Sequence, residues 1–415
     1  MNITRYVKIN GNKTFDELPL NPVDSLILSQ LSYLKFDGAD DRIYLNNEGV
    51  CIKDIAESDK VADLFGDVRY ANVNKGLFDA AAASERFGTI KLSNYVDIID
   101  ADAEIQFSAV TATCSNGLTY VVYRGTDDNL VGWQEDFNMI YKTPVPAQEK
   151  AVWYLNLVSE KIEGDFYVGG HSKGGNLAVY ASMFVNESIQ NRIINVFSHD
   201  GPGFKKEILE GSGFFRIKDK ILKYVPRESI FGLMQATTEK YEVVLCHKRG
   251  ISQHSPFNWI VNGYDFKYAD NVENVYILRN KIFNIWASKI TDEQAKDFSE
   301  NFFAIFREAG FSNLNDFQGD LLAKYGVIKS LISAMENVDE ETKAELMEVI
   351  TLYKDIFTDT TKESVQDARD NALENVQHVM DNVKESVQTI KSTVDSKKEK
   401  KSTKKRIRNK KEVVE

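Results

Sequence analysis

A chain of 415 residues, 43% hydrophobic and 11% aromatic, holds enough apolar surface for one large α/β domain with appendages or for two domains. Three cysteines without a close-spaced pair exclude a disulfide framework, and five histidines without H-x-x-x-H or C-x-x-C spacing give no metal site and call for no cofactor. No apolar run reaches signal or membrane-spanning length, so we expect a soluble, cytoplasmic chain with a formal charge of −11.

Pro22 and Asp24 mark a helix start, with Asp24 as a candidate N-cap. Leu26, Ile27, Gln30, Leu31 and Leu34 then recur at helical spacing, as a helix covering one face of a core. Residues 61–90 read as helical, with Ala80 to Ala83 as a strong helix former. Ala103 to Thr113 and Leu118 to Tyr123 are β-branched, alternating runs joined by Ser115-Asn116-Gly117, a strong hairpin signal. The second run leads directly into Arg124-Gly125-Thr126-Asp127, and Gly132-Trp-Gln-Glu-Asp136 follows. A strand that ends in a glycine loop before a helix is where an α/β sheet places its binding groups.

Residues 147–163 predict a helix. Phe166 to Gly170 predict a buried strand, followed by Gly170-His171-Ser172-Lys173-Gly174 and a helix beginning at the serine. This is the G-x-S-x-G nucleophile elbow, a turn so tight that flanking side chains collide unless they are glycine. Three fixed positions recur by chance too often to decide a function alone. Further strands are predicted at Arg192 to His199, ending at Asp200-Gly201-Pro202-Gly203, at Lys220 to Pro226, ending near Glu228, and at Tyr241 to His247, followed by the loop that carries Gln253 and His254. Residues 204–218 read as helical. The repeated strand, loop, helix order predicts an α/β fold of the α/β-hydrolase type, a mostly parallel sheet flanked by helices, with a helical C-terminal extension.

We expect the α/β domain to span 1–290, a helical region 291–358, an amphipathic helix or coiled coil 359–396 and a basic disordered tail 397–415. In the third, Val365, Ala368, Ala372, Val376, Val379, Val383, Val387, Ile390 and Val394 form an eleven-residue repeat suited to a solvated helix or to self-association. Residues 397–411 carry ten bases and one acid, leaving the remainder near −20. Such a tail is a solubilising end, with contact to anionic membrane lipids as the alternative; without interleaved aromatics it is poorly suited to nucleic acid.

The order Ser172, a carboxylate, His254 is that of an α/β-hydrolase triad: an imidazole takes the serine proton and a carboxylate orients the imidazole. His171 and His199 read as local packing or hydrogen-bonding groups. For the acid, Asp200 is the first choice, because Gly-Pro-Gly fixes its geometry. Glu228, one strand later, is the alternative, and Asp265 a remote third. The oxyanion hole is expected from the amides of Lys173 and Thr126, with the Thr126 hydroxyl as a third donor and Asp136 bracing the loop.

Tyr123-Arg-Gly-Thr126, Gly170-His-Ser-Lys-Gly-Gly175, Asp200-Gly-Pro-Gly203 and Gln253-His254 resemble the motifs of the class 3 lipase-like α/β-hydrolases. With Gly132-Trp-Gln-Glu-Asp136 and the helix from Asp24 to Tyr33, residues 20–262 look like an uncharacterised bacterial branch of these proteins, catalogued as a domain of unknown function. The resemblance implies Ser172 as nucleophile, Thr126 and Lys173 at the oxyanion hole, and an ester substrate of lipid or acyl type. This chain departs from those proteins twice. It has Glu228 where an aspartate is usual, and Lys173 where an apolar residue is usual, which predicts a cation at the pocket mouth. A catalytically silent hydrolase fold, binding partners or membrane through its C-terminal third, is the alternative function.

Overall fold

A computed structural model describes residues 1–308, apart from 46, 67 and 69, and residues 340–361, apart from 346. The chain divides into two compact units, Met1–Lys354 and Asp355–Glu415. In the second unit the described residues are 355–361, which are helical. The expected apolar stripe over 365–394, the basic tail and the run at Leu321, Leu322 and Tyr325 lie outside the described residues.

One sheet organises the first unit. Its strands are β1 (Val50–Cys51), β2 (Lys91–Asp100), β3 (Ile105–Thr113), β4 (Thr119–Tyr123), β5 (Phe166–His171), β6 (Ile193–His199), β7 (Ile221–Pro226) and β8 (Tyr241–Val244), in that spatial order, with Tyr268–Ala269 at the far edge. From β4 to β8 the pairing is parallel; β1, β2, β3 and the far edge pair antiparallel. This is a mostly parallel sheet flanked by helices, as the strand-helix alternation predicts. β4 is buried along its whole length, which suits its Tyr-Val-Val-Tyr run for a strand covered on both faces.

Two apolar clusters cover the two faces. On one, Leu26, Ile27 and Leu31 of the helix Pro22–Leu31 join Phe78, Phe87, Tyr120 and Trp259. On the other, Tyr154 and Leu155 of the helix Pro146–Ser159 and Leu177 and Ala181 of the helix Lys173–Phe184 pack on Val121, Val168 and Val196. The helix Pro22–Leu31 is capped by Asn21 and not by Asp24. Asp24 is the third residue of a capping box, accepting from the Asn21 amide, and its carboxylate meets Arg86 at 2.5 Å with both side chains fully buried.

β2 is absent from the sequence reading, which runs helix to residue 90 and resumes at 103. A bulge between Ser93 and Val96, with Asn94 at φ +53°, breaks the two-residue alternation. The Asn-Gly hairpin between β3 and β4 forms as predicted, with Gly117 at φ +85°. Helices Asn274–Lys289 and Asp292–Glu308 belong to the first unit. Ser299 Oγ there donates to Asn138 Oδ1 at 2.6 Å, and Trp286 Nε1 donates to Val349 O at 3.2 Å. All three cysteines are free thiols. Among the described residues no helix is long and apolar enough to cross a membrane, and no group of histidine, cysteine and carboxylate side chains is arranged to hold a metal ion.

Candidate active site

The carboxyl ends of β4 and β5 open on one cavity of about 200 Å³. At the end of β5 the chain turns into the helix Lys173–Phe184 through Ser172, which is held at φ +58°, ψ −131°. A non-glycine residue tolerates this region only when its surroundings enforce it. The enforcement comes from either side: the Ser172 amide donates to His199 O at 2.9 Å, and the Ser172 carbonyl accepts from Gly175 N at 2.9 Å. A Cβ at Gly170 would lie 2.3 Å from the Gly174 carbonyl carbon, and one at Gly174 would lie 2.2 Å from Tyr123 O. The two glycines therefore let the elbow press against the end of β4.

Asp200 follows β6 at φ +52°, with its amide donating to Tyr224 O at 2.7 Å. Its Oδ1 accepts from Ser229 Oγ at 2.7 Å and from Gly232 N at 3.1 Å, and its Oδ2 accepts from His254 Nδ1 at 2.6 Å. With Nδ1–H committed to the carboxylate, Nε2 of His254 is left as the proton acceptor. The imidazole is sandwiched between His171 and Phe231, at centroid separations of 4.6 and 4.4 Å. His171 Nε2 donates to the His254 carbonyl at 2.8 Å, and Tyr33 Oη donates to His171 Nδ1 at 3.1 Å. Ser172, His254, His171, Tyr33 and Thr126 all line the cavity.

Glu228 lies outside this arrangement. Its Oε2 accepts from Gly250 N at 2.5 Å and from Tyr276 Oη at 3.0 Å, so it anchors the turn that carries His254 without touching the imidazole. Asp265 is also elsewhere, accepting from Phe266 N and Tyr268 Oη. His199 is fully buried behind the elbow, with Nε2 at 2.8 Å from Ser25 Oγ, and burial pushes its pKa down to about 3.

The loop after β4 is fixed by charge. Arg124 is fully buried and grips Asp97 at 2.6 and 2.8 Å, while Lys35 bridges Asp97 and Asp127 at 3.4 and 3.1 Å. The Thr126 hydroxyl donates to Asp136 Oδ2 at 2.6 Å, so it is committed to the carboxylate and is not free as a third oxyanion donor; the Thr126 amide is left for that part. Burial pushes the Asp136 carboxyl up to about 6, against the opposing pull of the Lys173 ammonium and the Thr126 hydroxyl.

Lys173 departs furthest from expectation. Its side chain does not reach the pocket mouth: it is 1% exposed, and its ammonium is paired with Glu135 at 3.0 Å. The cavity wall is instead supplied by Val68, Tyr70, Trp133, Phe231, Ile251 and Pro256 around the polar Gln30, Lys35 and Asp127. The sequence reading does not pick out Glu135 as the partner of Lys173. The available signal is the acidic pair Glu135-Asp136 in a helix otherwise directed inward.

Fold and site together define a lipase-like α/β-hydrolase fold. A family model described as Mbeg1-like matches residues 81–304, and the chain belongs to that class 3 lipase-like family. Among solved structures, the chain is similar to the Rhizomucor miehei lipase in its propeptide complex, at 13% identity over 60% of this chain and 73% of that one, with a TM-score of 0.35. It is also similar to M37 lipase, at 14% identity over 52% and 70% of the two chains, with a TM-score of 0.34. No match was found among curated proteins.

Proposed function

We propose that the protein is a serine hydrolase that cleaves a carboxylic ester, of a lipid or acyl type, through an acyl-enzyme. The observation that carries this reading is the 2.6 Å hydrogen bond from His254 Nδ1 to Asp200, on the same cavity as a serine held at positive φ. Ser172 Oγ attacks the ester carbonyl carbon while His254 Nε2 takes its proton, and Asp200 stabilises the imidazolium that forms. The carbonyl oxygen becomes an oxyanion at the amides of Thr126 and Lys173, where the start of the helix Lys173–Phe184 adds its dipole. Collapse breaks the ester C–O bond, and His254 returns the proton to the departing alcohol. Water, activated by the same imidazole, then attacks the acyl-serine and releases the acid.

The apolar side chains around the cavity favour an acyl group over a charged one. With the Lys173 ammonium buried on Glu135, that cation does not stand at the mouth to oppose a neutral ester. A labelled fluorophosphonate on the purified protein tests the reading. A covalent adduct that vanishes in Ser172→Ala supports it, and absence of an adduct on the wild-type chain leaves the catalytically silent fold. Nitrophenyl esters, acyl thioesters and peptides then rank the bond cleaved.

A further inference from the structure

Lys173 occupies the first turn of the helix after the nucleophile, where free amides and the helix dipole disfavour a cation. Its ammonium is nevertheless buried and has three acceptors for its three donors: Gln106 O and Gln106 Oε1, both at 2.9 Å, and Glu135 Oε2 at 3.0 Å. Glu135 is equally engaged, accepting from Gln106 N at 3.0 Å and from Ala147 N at 2.7 Å. Gly132 makes the room, since a Cβ there would lie 2.6 Å from Gln106 Oε1 and 2.8 Å from Thr126 Cγ2. Strand β3, the helix Leu130–Asn138, the start of the helix Pro146–Ser159 and the elbow helix therefore meet at one charge pair. Asp136, next along, lies 3.7 Å from the same ammonium and holds the Thr126 hydroxyl.

Desolvation offsets most of the attraction in a pair this deeply buried, so net stability is a poor reason for it. Its position offers a better one. The ammonium belongs to the residue whose amide is one oxyanion donor, and through the Glu135-Asp136 pair it reaches the residue whose amide is the other. Such donors act only when both are held in place before charge develops. We propose that the Lys173 side chain is a positioning residue that fixes the amides of Lys173 and Thr126 relative to each other, an inference that rests on the hydrolase reading above.

The test is fluorophosphonate inactivation of the full-length protein, resolved into the maximal rate kinact and the half-saturating concentration KI. The double variant K173M/E135Q removes both charges of the pair together, so neither is left buried without the other, and Asp136 keeps the hydrogen bond from the Thr126 hydroxyl. The expected result is a melting temperature within a few degrees of wild type, kinact reduced at least tenfold and KI unchanged within about twofold. Q106M removes one acceptor and leaves the ion pair. Because Gln106 Nε2 is buried without a partner, its loss leaves no acceptor unpaired; the group orphaned is one N–H of the Lys173 ammonium, and kinact is expected to fall about three- to tenfold. A wild-type kinact in Q106M, or in a folded K173M/E135Q, overturns the proposal. Should the double variant not fold, Q106M decides by itself. A wild-type protein that forms no adduct refutes the hydrolase reading instead, so the two failures are distinct.

Discussion

Asp200 and His254 are 54 residues apart in sequence and 2.6 Å apart in space, joined by a hydrogen bond from Nδ1 to Oδ2. The carboxylate is oriented from behind by Ser229 and Gly232, while Glu228, one strand further on, spends its Oε2 on Gly250 and Tyr276. The two acids should therefore separate cleanly by mutation. Asp200→Asn is expected to lower kcat by roughly 10³–10⁴-fold, because Asn favours the wrong imidazole tautomer. Glu228→Gln is expected to cost less than about tenfold, through a looser Gly250 turn. Ester hydrolysis by the two purified variants, with melting curves to confirm folding, checks both; a larger loss in the second than in the first would exchange their roles.

The elbow, its company of Thr126, Asp200 and His254, and the mostly parallel sheet were legible because each leaves a local mark: fixed glycines, strand ends and chain order. The choice between Asp200 and Glu228 rested on a weaker mark, the Gly201-Pro202-Gly203 that follows Asp200. Both follow a strand, and what aims Asp200 at the imidazole is a backbone at φ +52°, a conformation that an aspartate does not announce. Lys173 misled for a related reason. A lone lysine defaults to solvent, and its buried partner Glu135 lies 38 residues earlier on a different element. β2 was hidden by its bulge and by polar residues such as Asp97, which turn out to serve Arg124.

His199 sets a limit on acid stability. It is fully buried, only Nε2 has a partner, Nδ1 has none, and burial pushes its pKa from 6.5 down to about 3. In that interval the unfolded chain binds the proton and the folded chain does not. Stability is therefore complete above pH 6.5 and falls as pH drops toward 3. The difference corresponds to roughly 3 kcal/mol lost between pH 6.5 and pH 4. Urea unfolding at a series of pH values should show this slope, and His199→Gln, which keeps a hydrogen-bonding group for Ser25 and does not titrate, should flatten it. An unchanged slope in the variant would assign the acid sensitivity to other groups.

Arg86, in the short helix Glu85–Gly88, ties the segment 13–18 to the helix Pro22–Leu31. Its guanidinium binds Asp24 at 2.5 and 2.9 Å, and it also donates to the carbonyls of Lys13, Thr14 and Leu18 at 2.9–3.1 Å. It lies over the Phe15 ring at 3.9 Å. Arg86→Met strands a fully buried carboxylate and three carbonyls, so a destabilisation of about 3–5 kcal/mol is expected in urea unfolding. The neighbouring exposed pair Lys75–Asp79 provides the contrast, since Lys75→Met should change stability by less than about 0.5 kcal/mol.

The cavity fixes an expectation for acyl length. Its volume of about 200 Å³ lies below the roughly 300–1,000 Å³ usual for pockets that enclose larger ligands, and Val68, Trp133 and Phe231 form part of its apolar wall. Short acyl chains bury fully beside Ser172, and each further buried methylene adds about 0.8 kcal/mol only while there is room for it. In a series of nitrophenyl esters kcat/KM should therefore rise over the first few carbons and then fall. Tyr70, 51% exposed at the mouth, stands where a longer chain would leave. Tyr70→Ala should move the optimum to longer chains and leave the rate on the shortest ester within about twofold, because the ring bounds the exit and not the reacting carbonyl. A profile that keeps rising through long acyl chains in the wild-type protein would show that the cavity does not bound the substrate.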